Sequence, residues 1–127
     1  MTEQADRNRA TVLRLMEALN VCDAYTIRSI MRPDADWWVL GMGTLDRDTM
    51  IAQLEQLLGS AKVAETHILG TTAEDDRVAV ESRGNFEFAD GRVYRNSYHH
   101  LFTLHDGQVV GVREYLDLMH FQSVFGV

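Results

Sequence analysis

A chain of 127 residues fits a single domain, expected to span 1–127, and is long enough to bury a core without disulfide or metal staples. Its 46% hydrophobic and 24% charged residues are ordinary for a globular protein, and no apolar run approaches the roughly 20 residues that a membrane span needs. The net charge of -7, with no local cluster of lysine and arginine to offset it, argues against a nucleic-acid partner. The polar, mixed-charge start from Met1 to Asn8 has no apolar segment of the secretory kind. A lone cysteine, Cys22, excludes an internal disulfide framework and fits a reducing cytoplasm.

In chain order, Val12, Leu15, Met16 and Leu19 recur at helical spacing and give one apolar stripe. The pattern breaks at 20–23, where Asp23 suits the N-cap of a short second helix. Ile27, Ile30 and Met31 form the buried stripe of that helix, and Pro33 marks its end. Residues 35–40, with Trp37 beside Trp38, suit a strand, after which Gly41 and Gly43 loosen the chain. A third helix is expected from about Asp46, with Met50 or Ile51, Leu54, Leu57 and Leu58 on its inner side and Gly59 as the residue that ends it. From Lys62 the period becomes two, and 62–72, 77–88, 93–104 and 108–119 each read as a long strand. Asp90-Gly91 and Asp106-Gly107 mark hairpins, because both residue types tolerate positive φ. The fold class expected is α+β: a strongly curved, cone-shaped antiparallel sheet covered by three N-terminal helices. Such a cone has an open interior, a natural site for an apolar small molecule.

Further residues carry a resemblance to a known family. They are Ala18-Leu19-Asn20 with Asp23, Ala35-Asp36 entering a strand, Asp90-Gly91-Arg92, and the closing run from Gly107 through Arg113-Glu114-Tyr115-Leu116-Asp117 to Phe121. With the order of elements, they resemble the NTF2-like superfamily, and within it the SnoaL-like, ketosteroid-isomerase-like and limonene-epoxide-hydrolase-like proteins. Steroid isomerases of that superfamily use a tyrosine on the first helix, a protonated aspartic acid and a proton-shuttling aspartate. The matching positions here are Leu15, His100 and Val39, so that set is not reproduced. The epoxide hydrolases use an Arg-x-Asp pair and a later aspartate, with a tyrosine and an asparagine holding the water. The matching positions are Glu81, Arg83 and Glu114, then Trp37 and Val39. The resemblance thus implies a carboxylate–guanidinium–carboxylate cluster without the water-holding pair. SnoaL-like cyclases use a carboxylate on a late strand as general acid and base, a role open to Glu114 or Asp117. The resemblance also points to a homodimer.

Each of these residues has a plainer alternative. Glu81 and Arg83 share one face of their strand and form either part of the site or a surface ion pair. Asn96, Tyr98, His100 and Phe102 share a face of the next strand. His100 there is either an acid, base or hydrogen-bond donor, or a buried histidine satisfied by a neighbour. Trp37 is either a pocket wall or plain core, with Trp38 on the other face and packed beneath the helices. Glu114 is favoured over Asp117 to point inward, and Asp117 can instead cap or pair. The expected catalytic group is Glu81, Arg83, Glu114 and His100, with Leu15, Trp37, Val39, Tyr98 and Asp117 toward the ligand. His99 and His100 face opposite ways, and His67, His105 and His120 lack ligand spacing, so no metal is expected. Gly41-Met42-Gly43 lacks the surrounding βαβ unit of a dinucleotide site, so no cofactor is expected either. The functional expectation is an isomerase or cyclase acting on a polyketide-, terpenoid- or steroid-like compound. The alternatives are an epoxide hydrolase and a non-catalytic binding domain. An outer sheet face bearing Val78, Val80, Phe86 and Phe88 is expected to be covered in the dimer.

Overall fold

The computed structural model describes residues 2–126. The elements run α1 (Glu3–Val21), α2 (Ala24–Ile30), β1 (Met31–Val39), β2 (Gly43–Asp46), α3 (Arg47–Gly59), β3 (Ala61–Glu74), β4 (Arg77–Phe88), β5 (Val93–His105), β6 (Gln108–Leu116) and α4 (Leu118–Phe125). The helix starts follow local chemistry. Thr2, Asp23 and Asp46 each accept a backbone N–H from the first turn of α1, α2 and α3. α1 ends on Cys22 in the left-handed conformation, whereas Gly59 lies inside α3 and Ser60 is the residue that caps it.

The strands form one unclosed sheet in the order β2-β1-β6-β5-β4-β3. β5 pairs antiparallel with both β4 and β6, as the period-two pattern and the two Asp-Gly turns predict. Asp106 and Gly107 both have positive φ, the requirement of a tight hairpin turn. Four features depart from expectation. The sheet is mixed rather than wholly antiparallel, because β1 lies parallel to β6. Gly41 and Gly43 form a β1–β2 hairpin instead of a loose loop. Pro33 sits within β1, in the stretch where the β1–β6 register shifts; having no N–H, it is tolerated only where the ladder is irregular. Finally, β6 stops at Leu116, and Asp117 caps a fourth helix.

Alternation decides what lies inside. Along β4 the inner residues are Val78, Val80, Ser82, Gly84, Phe86 and Phe88, all buried. The apolar outer face expected from Val78, Val80, Phe86 and Phe88 is therefore not there. Those four belong to the core, and the argument for a dimer built on them falls. The opposite face of β4 carries Arg77, Glu81 and Arg83 in solvent.

Two apolar clusters result. One joins Val12, Leu15, Ile27, Ile30, Trp37, Val78, Val80, Phe102 and Val112; the other centres on Phe86, Phe88 and Tyr94 with Phe121 and Phe125 of α4. Between Val80 and Phe86 the inner face of β4 offers only Ser82 and Gly84; Ser82 lines a cavity, while the space beside Gly84 is taken by aromatic rings. A side chain at Gly84 would meet the Phe86 ring at 2.9 Å and the Tyr98 ring at 3.1 Å. Gly84→Val is expected to destabilise the fold by roughly 1–3 kcal/mol through overpacking, measured by urea denaturation.

Candidate functional site

The cavity has a volume of about 540 Å³, within the size range of small-molecule sites. Its wall is largely apolar, with Met16, Leu19, Leu54, Leu57 and Leu58 from the helices, Val39 and Phe86 from the sheet, and Phe121 and Phe125 from α4. Among the described residues the wall carries one carboxylate, Glu114, and no lysine or arginine.

Sheet register builds the polar end. β6 lies between β1 and β5, so Glu114 stands opposite His100 on one side and Val39 on the other. Trp37, on the same inner face of β1, donates its indole N–H to Glu114 Oε1 at 2.8 Å. His100 Nε2 lies 3.3 Å from the same oxygen. Facing a carboxylate, Nε2 carries the ring proton, and Nδ1 is buried without a hydrogen-bond partner among the described residues. Both contacts fall on Oε1, so Oε2 has no donor among the described residues. The His100 ring is held between Tyr98 and Phe102, with centroids 5.7 and 5.8 Å away, and meets the edge of Trp37 at 5.7 Å.

The electrostatics of Glu114 oppose one another. Burial pushes its carboxyl up, while the hydrogen bond and charge of His100 and the Trp37 N–H pull it down. The pull wins, and the group lies below its ordinary value and stays ionised. Burial also pushes Tyr98 and Tyr94 upward, so both phenols keep their protons at neutral pH.

The structure brings Trp37, Val39, Tyr98, His100 and Glu114 to one cavity and leaves the other candidates elsewhere. Glu81 and Arg83 point to the outer face and are exposed, so the carboxylate–guanidinium–carboxylate cluster does not form. Leu15 is fully buried in the core and is not part of the cavity wall. Asp117 is exposed and accepts the His120 N–H as N-cap of α4. Trp38 lies on the sheet face opposite Trp37, under the Arg113 guanidinium at 4.1 Å, rather than beneath the helices. Sequence reasoning missed Ser82, whose Oγ is buried without a partner among the described residues; Phe121 and Phe125, which the sequence offers either as a seal of the pocket mouth or for burial in a partner subunit, lie on the cavity wall. The signal for Ser82 was present: it shares its parity with Val78, Val80, Phe86 and Phe88. Among the described residues no group of three histidine, cysteine, aspartate or glutamate side chains converges as a metal site. No helix among them is long and apolar enough to cross a membrane.

A helix-covered, strongly curved mixed sheet around an interior pocket is the NTF2-like α+β architecture. The chain belongs to the SnoaL-like domain family, whose model matches residues 12–112. No curated protein sequence matches it. Among solved structures it is similar to Bal32a from a soil-derived mobile gene cassette, with 24% identity and a TM-score of 0.87 over 97% of this chain and 99% of that one. It is also similar to a candidate SnoaL-like polyketide cyclase from Jannaschia sp. CCS1, with 24% identity and a TM-score of 0.85 over 100% and 96% of the two chains. An LEH-like epoxide hydrolase from M. tuberculosis shares 17% identity and a TM-score of 0.81 over 97% and 92%. Likeness at these identities is a likeness of fold.

Two outcomes follow from the geometry. Arg83→Met should alter stability by no more than about 0.5 kcal/mol and leave the Glu114 titration, followed by NMR, unmoved. Glu114→Gln should show a pH signature. A carboxyl lowered in the folded state binds its proton more weakly there than in the unfolded chain. Its contribution is therefore complete above the ordinary glutamate value of about 4.3 and drains away as pH falls through the lower native value. The stability difference between wild type and Glu114→Gln, read by urea denaturation, should hold from neutral pH to about 5 and shrink below about 4.

Proposed function

We propose that the protein is an enzyme that moves a proton on an apolar, carbonyl-bearing ring compound of polyketide, terpenoid or steroid type, in an isomerisation or a cyclisation. One observation carries this reading: an ionised carboxylate, Glu114, held by His100 and Trp37 on the wall of a largely apolar cavity. A buried charge is costly unless it is paired, and such perturbed groups in clefts gather where chemistry is done.

The chemistry follows from the free oxygen. Glu114 Oε2 takes a proton from the carbon next to a substrate carbonyl, and the C–H electron pair moves onto the carbonyl oxygen as an enolate. Returning the proton at a different carbon completes an isomerisation. Alternatively the enolate carbon attacks a second carbonyl, and the proton goes to the alkoxide so formed, which closes a ring. His100 and Trp37 fix the carboxylate for either course, and the apolar walls keep water from quenching the enolate. Epoxide hydrolysis by the Arg-x-Asp scheme is disfavoured, because Arg83 and Glu81 lie on the far side of the sheet.

A bicyclic ketone with acidic α-hydrogens, 2-tetralone, tests this reading in D₂O. The wild type should accelerate its deuterium exchange over buffer, monitored by NMR. Glu114→Gln should lose roughly 10²- to 10⁴-fold of that acceleration, the usual range for a general base. Binding of 2-tetralone without any acceleration by the wild type would support a non-catalytic binding domain instead.

A further inference from the structure

The second polar feature of the cavity lies further along β5. Asn96 Oδ1 accepts the backbone N–H of Ser97 at 2.8 Å and of Asp117 at 3.0 Å, which fixes the orientation of its amide. Its Nδ2 then has two protons to place. One goes to the Asp117 carbonyl at 3.0 Å and the other to the Tyr94 phenol oxygen at 2.8 Å. The Tyr94 oxygen is thus an obligatory acceptor.

Tyr94 and Tyr98 have their phenol oxygens 3.0 Å apart. Two phenols bring two protons, and one proton bridges the pair. As the structure stands, Tyr98 donates to Tyr94. That leaves the Tyr94 proton with no acceptor among the described residues, on a side chain only 3% exposed. Tyr98, by contrast, is on the cavity wall. Rotation of both hydroxyls resolves the count. Tyr94 donates to Tyr98, and the spare proton moves to the one hydroxyl that a ligand can reach. An unpaired buried donor is unfavourable, so a ligand oxygen beside Tyr98 gains the relief of that defect as well as its own hydrogen bond.

We infer that Tyr98 is the hydrogen-bond donor that selects ligands bearing a carbonyl oxygen, and that Asn96 and Tyr94 are the positioning residues that aim it. This deepens the proposed function and rests on its reading of the cavity as the substrate site. The substrate class becomes a ring ketone whose oxygen meets Tyr98 while an adjacent C–H faces Glu114. Tyr98 then also takes up the negative charge that develops on that oxygen when Glu114 removes the proton. Asp117 joins the two ends of the arrangement, since its backbone holds Asn96 and its side chain caps α4.

The test compares 2-tetralone with tetralin, which has the same two-ring frame and no oxygen. Binding is followed by tryptophan fluorescence, and the carbonyl stretch of bound 2-tetralone by infrared difference spectroscopy. Tyr98→Phe removes only the hydroxyl. It should weaken 2-tetralone roughly tenfold, the effect of one lost buried hydrogen bond, and leave tetralin affinity unchanged. The bound carbonyl should absorb at lower frequency in the wild type than in Tyr98→Phe, with Tyr94→Phe in between. Equal weakening of both probes, or a carbonyl frequency that does not move in Tyr98→Phe, would overturn the assignment of Tyr98. Failure of the wild type to bind either probe would instead overturn the reading of the cavity on which the assignment rests.

Discussion

Glu114 can stay charged inside an apolar cavity because donors reach it from strands on both sides of its own. Trp37 comes from β1 and His100 from β5, and both meet the same carboxylate oxygen. That arrangement exists only because β6 is an interior strand, with β1 parallel to it on one side and β5 antiparallel on the other. An edge strand would offer such a group one neighbour and solvent. Removing either donor would leave a buried charge short of compensation, which costs more than the bond itself contributes. The interior position of β6 in the mixed sheet is thus what allows a largely apolar cavity to hold a charge.

Much of this was legible in the sequence, for identifiable reasons. Period-two runs and two Asp-Gly turns located the β4–β5–β6 meander, because one buried face demands alternation and the turn needs positive φ. Alternation put Asn96, Tyr98, His100 and Phe102 on one face, while the inward direction of His100 and Glu114 came from the family resemblance. The register of β1 against β6 was not legible. A parallel pairing between distant segments leaves no turn between them to read, and the shift around Pro33 hides the spacing. α4 was hidden as well, since the eight residues of Leu118–Phe125 continue an apolar stretch from β6.

Glu81 and Arg83 illustrate two kinds of reading in conflict. Likeness to epoxide hydrolases placed them in the site, whereas the apolar residues at 78, 80, 86 and 88 set the inner parity and put charged 81 and 83 in water. Burial prevailed, because a whole strand turns over when its parity changes. Solved structures of this fold are named for different chemistries, and this chain keeps the scaffold with its own set of polar residues inside.

The pairing of β1 with β6 also bears on how the chain reaches its native state. It joins segments from opposite ends of the sequence, Met31 with Val109 and Val39 with Glu114, and such long-range closures come at a high entropic cost and slow folding. The β3–β6 meander pairs strands that follow one another in the chain, and none of those pairings involves β1. In a chain with only that meander formed, Glu114 would already face His100 but would have no Trp37. A nascent chain on the ribosome cannot form the pair until Glu114 has left the exit tunnel, so Trp37, made much earlier, waits without its acceptor while β2 to β5 are synthesised.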